Sequence, residues 1–201
     1  MTDRLGFYVN LDKCVGCRTC EAACDQTWET PIDVSFRKVG TLEAGDFPDV
    51  TQLFMSLSCN HCDMPACASA CPTGAYTKRD DGIVLVDQDV CIGCKMCTFA
   101  CPYGAPQYDK KLGKVSKCNM CAPIVDEGGI PACVESCPYD ALDWGPMDEL
   151  YRRHPTAQRE APFFPDIDIT RPNILFDLPA ELPDDLRRVD GTDRLAESRE
   201  G

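Results

Sequence analysis

Four sets of four cysteines constrain this chain more than any other feature of it. Its 201 residues include 16 cysteines, and every one falls into a group. Cys14, Cys17, Cys20 and Cys24 are spaced C-x2-C-x2-C-x3-C, and Cys91, Cys94, Cys97 and Cys101 repeat that spacing with Pro102 appended. Cys59, Cys62, Cys67 and Cys71 read C-x2-C-x4-C-x3-C before Pro72; Cys118, Cys121, Cys133 and Cys137 read C-x2-C-x11-C-x3-C before Pro138. With 16 prolines and 14 glycines besides, a plain hydrophobic core is not the obvious organiser of such a chain.

Disulfides, zinc and iron-sulfur clusters compete for thiols at this density. A zinc site with four cysteine ligands wants two CxxC pairs separated by a spacer, whereas in two of the groups the third and fourth cysteines follow at once. Disulfides suit the pattern no better, because cysteines so close along a tight loop pair poorly and the start of the chain shows no signal-peptide pattern. The first and third groups match the bacterial ferredoxin run, in which three closely spaced thiolates hold one cubane and the fourth reaches its neighbour. The other two groups are the same run with its second gap stretched. At four thiolates per cubane, sixteen cysteines predict four 4Fe-4S clusters. Gly16 and Gly93, each just before the second cysteine of a run, suit a backbone that takes positive φ or comes close to a cluster.

The unit is duplicated. "FYVNLDKCVGC" (Phe7 to Cys17) resembles "VLVDQDVCIGC" (Val84 to Cys94), and "CNHC" at Cys59 resembles "CNMC" at Cys118. Asp81-Gly82 ahead of "IVLV" signals a hairpin. "TCEAAC" and "MCTFAC" have room for a helical turn or two, and no long helix is apparent. The fold class expected is α+β: two bacterial-ferredoxin-like modules, small hairpins and short helices packed on clusters, with an inserted strand segment and an extended C-terminal arm. The expected division is a first ferredoxin-type repeat at 5–33, a strand-like insert at 34–57, repeats at 58–80, 81–112 and 113–145, and a Pro-rich arm and tail at 146–201. Seven prolines from Pro146 to Pro183 are expected to interrupt regular structure, and for the polar last fifteen or so residues a disordered tail and an ordered one are equal alternatives. Phe163, Phe164, Ile167, Ile174, Leu175 and Phe176 would be exposed on a lone monomer, which predicts an arm laid on a partner.

Taken together, "FYVNLDKCVGCRTCEAAC", "VSFRKV", "SLSCNHCDMPACASACPTGA", "DGIVLVDQDVCIGCKMCTFACPYGAPQY", "KCNMC" and "CVESCPYDALDWGPMDEL" resemble the four-cluster iron-sulfur, electron-transfer subunits of the dimethyl sulfoxide reductase family of molybdopterin oxidoreductases, most of all those of the anaerobic dimethyl sulfoxide reductases. The resemblance spans roughly residues 5 to 178. It implies interlocked ligation: Cys14, Cys17, Cys20 and Cys137 for one cluster, Cys118, Cys121, Cys133 and Cys24 for the next. A third would be held by Cys59, Cys62, Cys67 and Cys101, and the fourth by Cys91, Cys94, Cys97 and Cys71. It also implies partners: a catalytic subunit with a molybdenum or tungsten bis-pterin cofactor near the Cys14 cluster, and an integral membrane quinol-binding anchor near the Cys91 cluster. Relatives in nitrate reductases replace one cysteine of the latter run with Trp and hold a three-iron cluster; here the run is intact, which implies a cubane.

The expected function is therefore electron relay by a non-catalytic subunit. Neither a nucleotide loop nor a nucleophile with an adjacent base is apparent. The alternatives are a stand-alone polyferredoxin shuttle, or the equivalent subunit of a polysulfide, thiosulfate or nitrite reductase or a formate dehydrogenase. His61 is a candidate donor to a cluster sulfide, with a packed or solvated imidazole the equal alternative; His154 reads as a surface residue. Trp28, Trp144, Tyr103 and Tyr108 read as packing near clusters. The formal charge of −13 moves to roughly −21 once four oxidised cubanes are counted at roughly −2 each, which speaks against nucleic acid as a partner. No stretch reaches the roughly eighteen apolar residues of a bilayer span, so membrane association is expected only through a partner. The resemblance implies co-export with the catalytic subunit to the outer face of the cytoplasmic membrane, the cytoplasmic face being the alternative.

Overall fold

A computed structural model describes residues 4–190. Among these the strands are β1 (Leu5–Asn10), β2 (Lys38–Ala44), β3 (Thr51–Leu57), β4 (Tyr76–Lys78), β5 (Val84–Val86), β6 (Gln107–Asp109), β7 (Lys114–Ser116), β8 (Leu142–Pro146), β9 (Ile174–Asp177) and β10 (Arg187–Asp190). The helices are α1 (Thr19–Trp28), α2 (Ala66–Ser69), α3 (Met96–Ala100), α4 (Ala122–Asp126), α5 (Ala132–Glu135) and α6 (Met147–Arg153). The fold is α+β, with ferredoxin-type cysteine loops carried between short elements.

Two small sheets and two hairpins hold those loops. β1 is the middle strand of the first sheet, antiparallel to β8 and parallel to β9. Phe7 opposite Trp144 and Val9 opposite Leu142 thus close the first cysteine run onto the last. β2 pairs with both β3 and β10 in the second sheet, and β4–β5 and β6–β7 are separate hairpins. The first of these turns through Gly82 at φ +90°, a conformation glycine adopts without steric cost. α1 packs on α5 and α2 on α3, so the helical cysteines of the first run meet the fourth run and those of the second meet the third.

The core is built partly from sulfur. Cys20, Cys59, Cys62, Cys101, Cys118 and Cys133 are buried in the same cluster as Phe7, Val9, Leu11, Ile83, Ile174 and Phe176. Strand alternation divides β1 between two interiors: Phe7 and Val9 face this core, while Tyr8 turns to Met147, Leu150, Ala157 and Leu175. α6 covers that second face, carrying Asp148 and Glu149 in its first turn and Arg152 and Arg153 in its last, the arrangement that complements the helix dipole.

The structure departs from several of these expectations. α1 runs ten residues to Trp28 rather than a turn or two, because its contact with α5 rewards continuation past Cys24. The prolines after Asp143 do not prevent regular structure: Pro146 ends β8 and precedes the first turn of α6, where a missing N–H costs no helical hydrogen bond. Ile174, Leu175 and Phe176 are not exposed on the monomer but essentially inaccessible, since β9 docks in parallel on β1 with apolar side chains to both interiors. Phe164 packs against Phe176 and Tyr103, leaving Phe163 exposed and Ile167 half-buried. Of the final stretch, residues 187–190 form β10; residues 191–201 lie outside the described part. His154 is not a free surface residue, for its ring stacks on Tyr8 at 3.5 Å and Nε2 lies 2.8 Å from Asp143.

The C-terminal segment also buttresses the second cysteine run. Backbone N–H groups of Asp63 and Met64 donate to the carbonyls of Arg171 and Thr170, and Asn173 donates to Asn60 through its backbone and to the His61 carbonyl through Nδ2. Asp63 accepts from Asn173 and Lys78 and pairs with Arg4, tying three chain regions together.

If β9 belongs to the monomer core, Phe176→Ala should destabilise the cluster-loaded chain by about 3–5 kcal/mol, read as a shift in its denaturant midpoint under anoxia. A shift below about 1 kcal/mol would mean that the segment lies elsewhere in solution.

Candidate metal centres

The four cysteine loops share one backbone form. The residue before the second cysteine has positive φ in all of them: Gly16 (+69°), His61 (+44°), Gly93 (+69°) and Met120 (+55°). Glycine takes this conformation freely; histidine and methionine do so only where surroundings hold them. His61 is fully buried, with Nδ1 accepting from the Val84 N–H at 3.0 Å, and Met120 is likewise inaccessible. Close packing adds a second reason for the glycines. A Cβ on Gly16 would lie 2.5–2.8 Å from ring carbons of Phe54, and one on Gly93 would meet the carbonyl oxygen of Gly113.

Two cavities lie among the cysteines. One is lined by Cys59, Cys62, Cys67 and Cys101, with Lys117, Asn60 and Thr170 on its wall. The other is lined by Cys14, Cys17, Cys20 and Cys137, with Ser56 and Tyr139 nearby. Each draws three cysteines from one run and the fourth from another. Electrostatic neighbours group the rest: Cys24 feels Cys118, Cys133 and Cys121, while Cys97 feels Cys91 and Cys71. Cys94 is exposed on the loop between Cys91 and Cys97.

The donor chemistry of these sites fits 4Fe-4S clusters. Among the described residues no three His, Cys, Asp or Glu side chains converge closely enough for a single metal ion, as a mononuclear zinc site would need; the sulfurs stand around a space instead. Burial, followed by neighbouring cysteines, pushes the Cys62 and Cys118 thiols up to about 12, and Cys24 and Cys67 higher still. Thiolates in such places need a bound cation to offset their charge. The rim cysteines behave otherwise: the Thr19 hydroxyl lowers Cys17, and Cys71 is lowered, against its burial, by Thr73 and by backbone N–H groups. Both polar atoms of the Asn60 side chain are buried on the wall of the first cavity without a protein partner.

Sequence reading missed much of the surrounding shell. The Trp28 indole N–H donates to Cys121 Sγ at 3.4 Å, so a residue read as packing carries a donor to sulfur. Thr170 joins its hydroxyl to Tyr103 at 2.8 Å and also bonds Cys62, although it belongs to the arm. The Tyr76 hydroxyl faces Cys97. Tyr108 lies under the Lys95 ammonium at 4.3 Å and Trp144 packs at the edge of the core, as ordinary packing would have them. His61 uses Nδ1 as an acceptor, and burial together with Lys117 and Lys78 holds its imidazole well below the usual range, so it is neutral. Two buried cations, Arg37 and Lys117, stand among the cysteines; Lys117 Nζ donates to the carbonyls of Val84 and Cys118.

Comparison with known proteins adds to this geometry. Residues 50–147 match a family described as a 4Fe-4S dicluster domain, and residues 11–26 match a 4Fe-4S binding domain. The chain is 46% identical over 183 residues to a chain of the anaerobic dimethyl sulfoxide reductase of Escherichia coli (strain K12), covering 87% of this chain and 89% of the relative. The corresponding chain of the Haemophilus influenzae reductase is 42% identical over 182 residues, with coverage of 86% and 88%. A subunit of the sulfite dehydrogenase of Allochromatium vinosum is 36% identical over 169 residues, covering 73% and 70%.

The packing around Gly93 yields a direct test. Gly93→Ala should release iron to a chelator markedly faster than wild type, because Ala carries a cost of about 1–2 kcal/mol in this conformation and also meets the Gly113 carbonyl. Gly128→Ala, which carries the same conformational cost at φ +84° but has nothing within 4 Å of the added carbon, should lose iron distinctly more slowly than Gly93→Ala. Equal iron loss from the two would show that the close approach is immaterial.

Proposed function

The chain belongs to the 4Fe-4S electron-transfer subunits of the dimethyl sulfoxide reductase family, and from that membership we propose that it relays electrons through four clusters between a membrane anchor that handles quinol and a molybdenum or tungsten bis-pterin catalytic subunit. The catalytic partner would be of the dimethyl sulfoxide or N-oxide reductase type. This chain itself carries no catalysis in that scheme. Its attachment to the outer face of the membrane would come through the partners; no helix among the described residues is long and apolar enough to cross a bilayer.

The observation that carries the proposal is the mixed origin of the cysteines around each cavity. We assign Cys14, Cys17, Cys20 and Cys137 to one cluster and Cys24, Cys118, Cys121 and Cys133 to the second. Cys59, Cys62, Cys67 and Cys101 hold the third; Cys71, Cys91, Cys94 and Cys97 hold the fourth. The repeats at 58–80 and 81–112 then form one module, and those at 5–33 and 113–145 form another, split in sequence around it. Pairing of α2 with α3 and of α1 with α5 supports that division.

When bound, each cluster supplies a one-electron couple. The protein's own residues fix the sulfur positions, exclude water and place donors near sulfur. Trp28 does so at Cys121, Thr170 at Cys62 and Ser56 at Cys20. Burial of Cys59, Cys62, Cys67 and Cys101, and of Cys24, Cys118, Cys121 and Cys133, keeps two relay sites away from solvent, whereas Cys17 and Cys94 sit at exposed loops where electrons would enter or leave. Exposed apolar side chains flank those loops: Val90, Ile92, Met96 and Phe99 in the run of Cys91, and Val15 and Tyr139 beside Cys14 and Cys137. Such residues suit contact with partner subunits. Burial of β9 removes the apolar arm as an argument against a free shuttle, so the loop rims take its place.

Cys97→Ser tests the direction assigned to the relay. In the assembled complex it should alter one cluster signal and abolish most quinol-dependent turnover, while substrate reduction driven by an artificial donor at the catalytic subunit stays near wild type. Equal loss of the two activities would contradict the placement of the Cys91 cluster at the membrane end.

A further inference from the structure

Arg37 has no carboxylate to answer its charge. It is among the largest side chains in the protein with essentially no accessible surface, and no ion pair to it exists among the described residues. Glu21 is engaged elsewhere, accepting from the Val39 N–H and lying 3.8 Å from Arg18. Buried guanidinium groups are costly unless paired. The negative groups around Arg37 are sulfurs: Cys133, Cys20, Cys118 and Cys24, which raise its affinity for its proton and belong to the first and second cluster sites as assigned above.

Its hydrogen bonds point the same way. Nη1 donates to the Ser56 carbonyl at 3.3 Å and to Ser56 Oγ at 3.1 Å, and Nη2 donates to Ser58 Oγ at 3.0 Å. Nε is buried with no protein partner. Because Ser56 Oγ accepts from Arg37, its own proton is free for Cys20 Sγ, 3.3 Å away. The sequence of donors therefore runs from guanidinium to hydroxyl to sulfur. The Phe7 ring, 4.7 Å beneath the guanidinium, closes the other side and keeps water from screening the charge.

We propose that Arg37 sets the potentials of the two clusters of the split module: a permanent positive charge shared between the Cys20 site and the Cys24, Cys118 and Cys133 site, passed on to Cys20 through the Ser56 hydroxyl. This rests on the cluster assignment of the preceding section. A reduced cluster holds one more negative charge than an oxidised one, and a buried cation nearby favours it. Hydrogen bonds to ligand sulfur act in the same sense. Both effects raise the potential, and Arg37 exerts both on the split module. In the other module, Lys117 and no arginine lines the cavity of Cys59. Arg37 is thus a positioning residue that acts on electron affinity through charge, not a ligand.

The test is a redox titration followed by electron paramagnetic resonance on the full chain, purified under anoxia with its iron, with signals assigned through Cys17→Ser and Cys121→Ser. Wild type must first show about sixteen irons and resolvable cluster signals; failure there sinks the cluster assignment, not the role of Arg37. Arg37→Met should lower the reduced-to-oxidised ratio at a fixed poise at least tenfold, about 59 mV, in the two signals of the split module and leave the others in place. Arg37→Lys should restore most of the difference, which loss of packing would not predict. Ser56→Ala should lower only the signal of the Cys20 site. Unchanged potentials in iron-replete Arg37→Met, an equal shift of all signals, or a shift in Arg37→Lys as large as in Arg37→Met would overturn the proposal. If Arg37→Met does not retain iron, Ser56→Ala decides: a lowered Cys20-site signal supports the role and an unmoved one refutes it.

Discussion

A thiolate cannot be buried cheaply without a positive centre beside it, and ten of the sixteen cysteines here are buried. The rest of the structure follows from that constraint. Sulfurs that would otherwise oppose folding become its organising contacts once iron binds them, because each of the two cavities brings together cysteines from two separate runs. The strands are short, the helices run four to ten residues, and the apolar core interdigitates with sulfur.

What the sequence revealed about the site was local. Cluster ligation imposes a loop a few residues long, so the four cysteine groups, the glycines at 16 and 93 and the hairpin at Asp81-Gly82 could all be read without knowing what lies across the fold. The strands at Lys38–Ala44 and Thr51–Leu57 were visible for the same reason, since each pairs with its neighbour in the chain. The pairing of β9 with β1 was not, because nothing within "NILFD" states that its parallel partner is the first strand. Consecutive apolar residues between prolines fit an arm on another protein as well as a strand buried on both faces; only the positions of α6 and the cysteine core decide it.

The polar shell was hidden by the same distance. Trp28, Ser56, Thr170 and Arg37 approach sulfur from four separate elements or loops, and none lies within a cysteine run. Their residue types are common, and their role is a matter of address. His61, inside Cys-Asn-His-Cys, has a neutral ring that accepts from Val84 at Nδ1 and keeps Nε2 buried without a protein partner, and its unusual backbone geometry is what the loop requires of that position.

The parallel pairing of β1 with β9 has a bearing on how the chain is made. The hairpins and the α2–α3 contact lie within residues 66–116 and close by short loops. By contrast, the cavity of the first cysteine run lacks part of its wall until Cys137 has been synthesised, and its strand lacks one neighbour until Ile174 emerges. Contacts of such long sequence separation form late and slowly. The segment from α2 to β7 can therefore close while the thiols of the first run still stand open, and open thiolates are what oxidants attack.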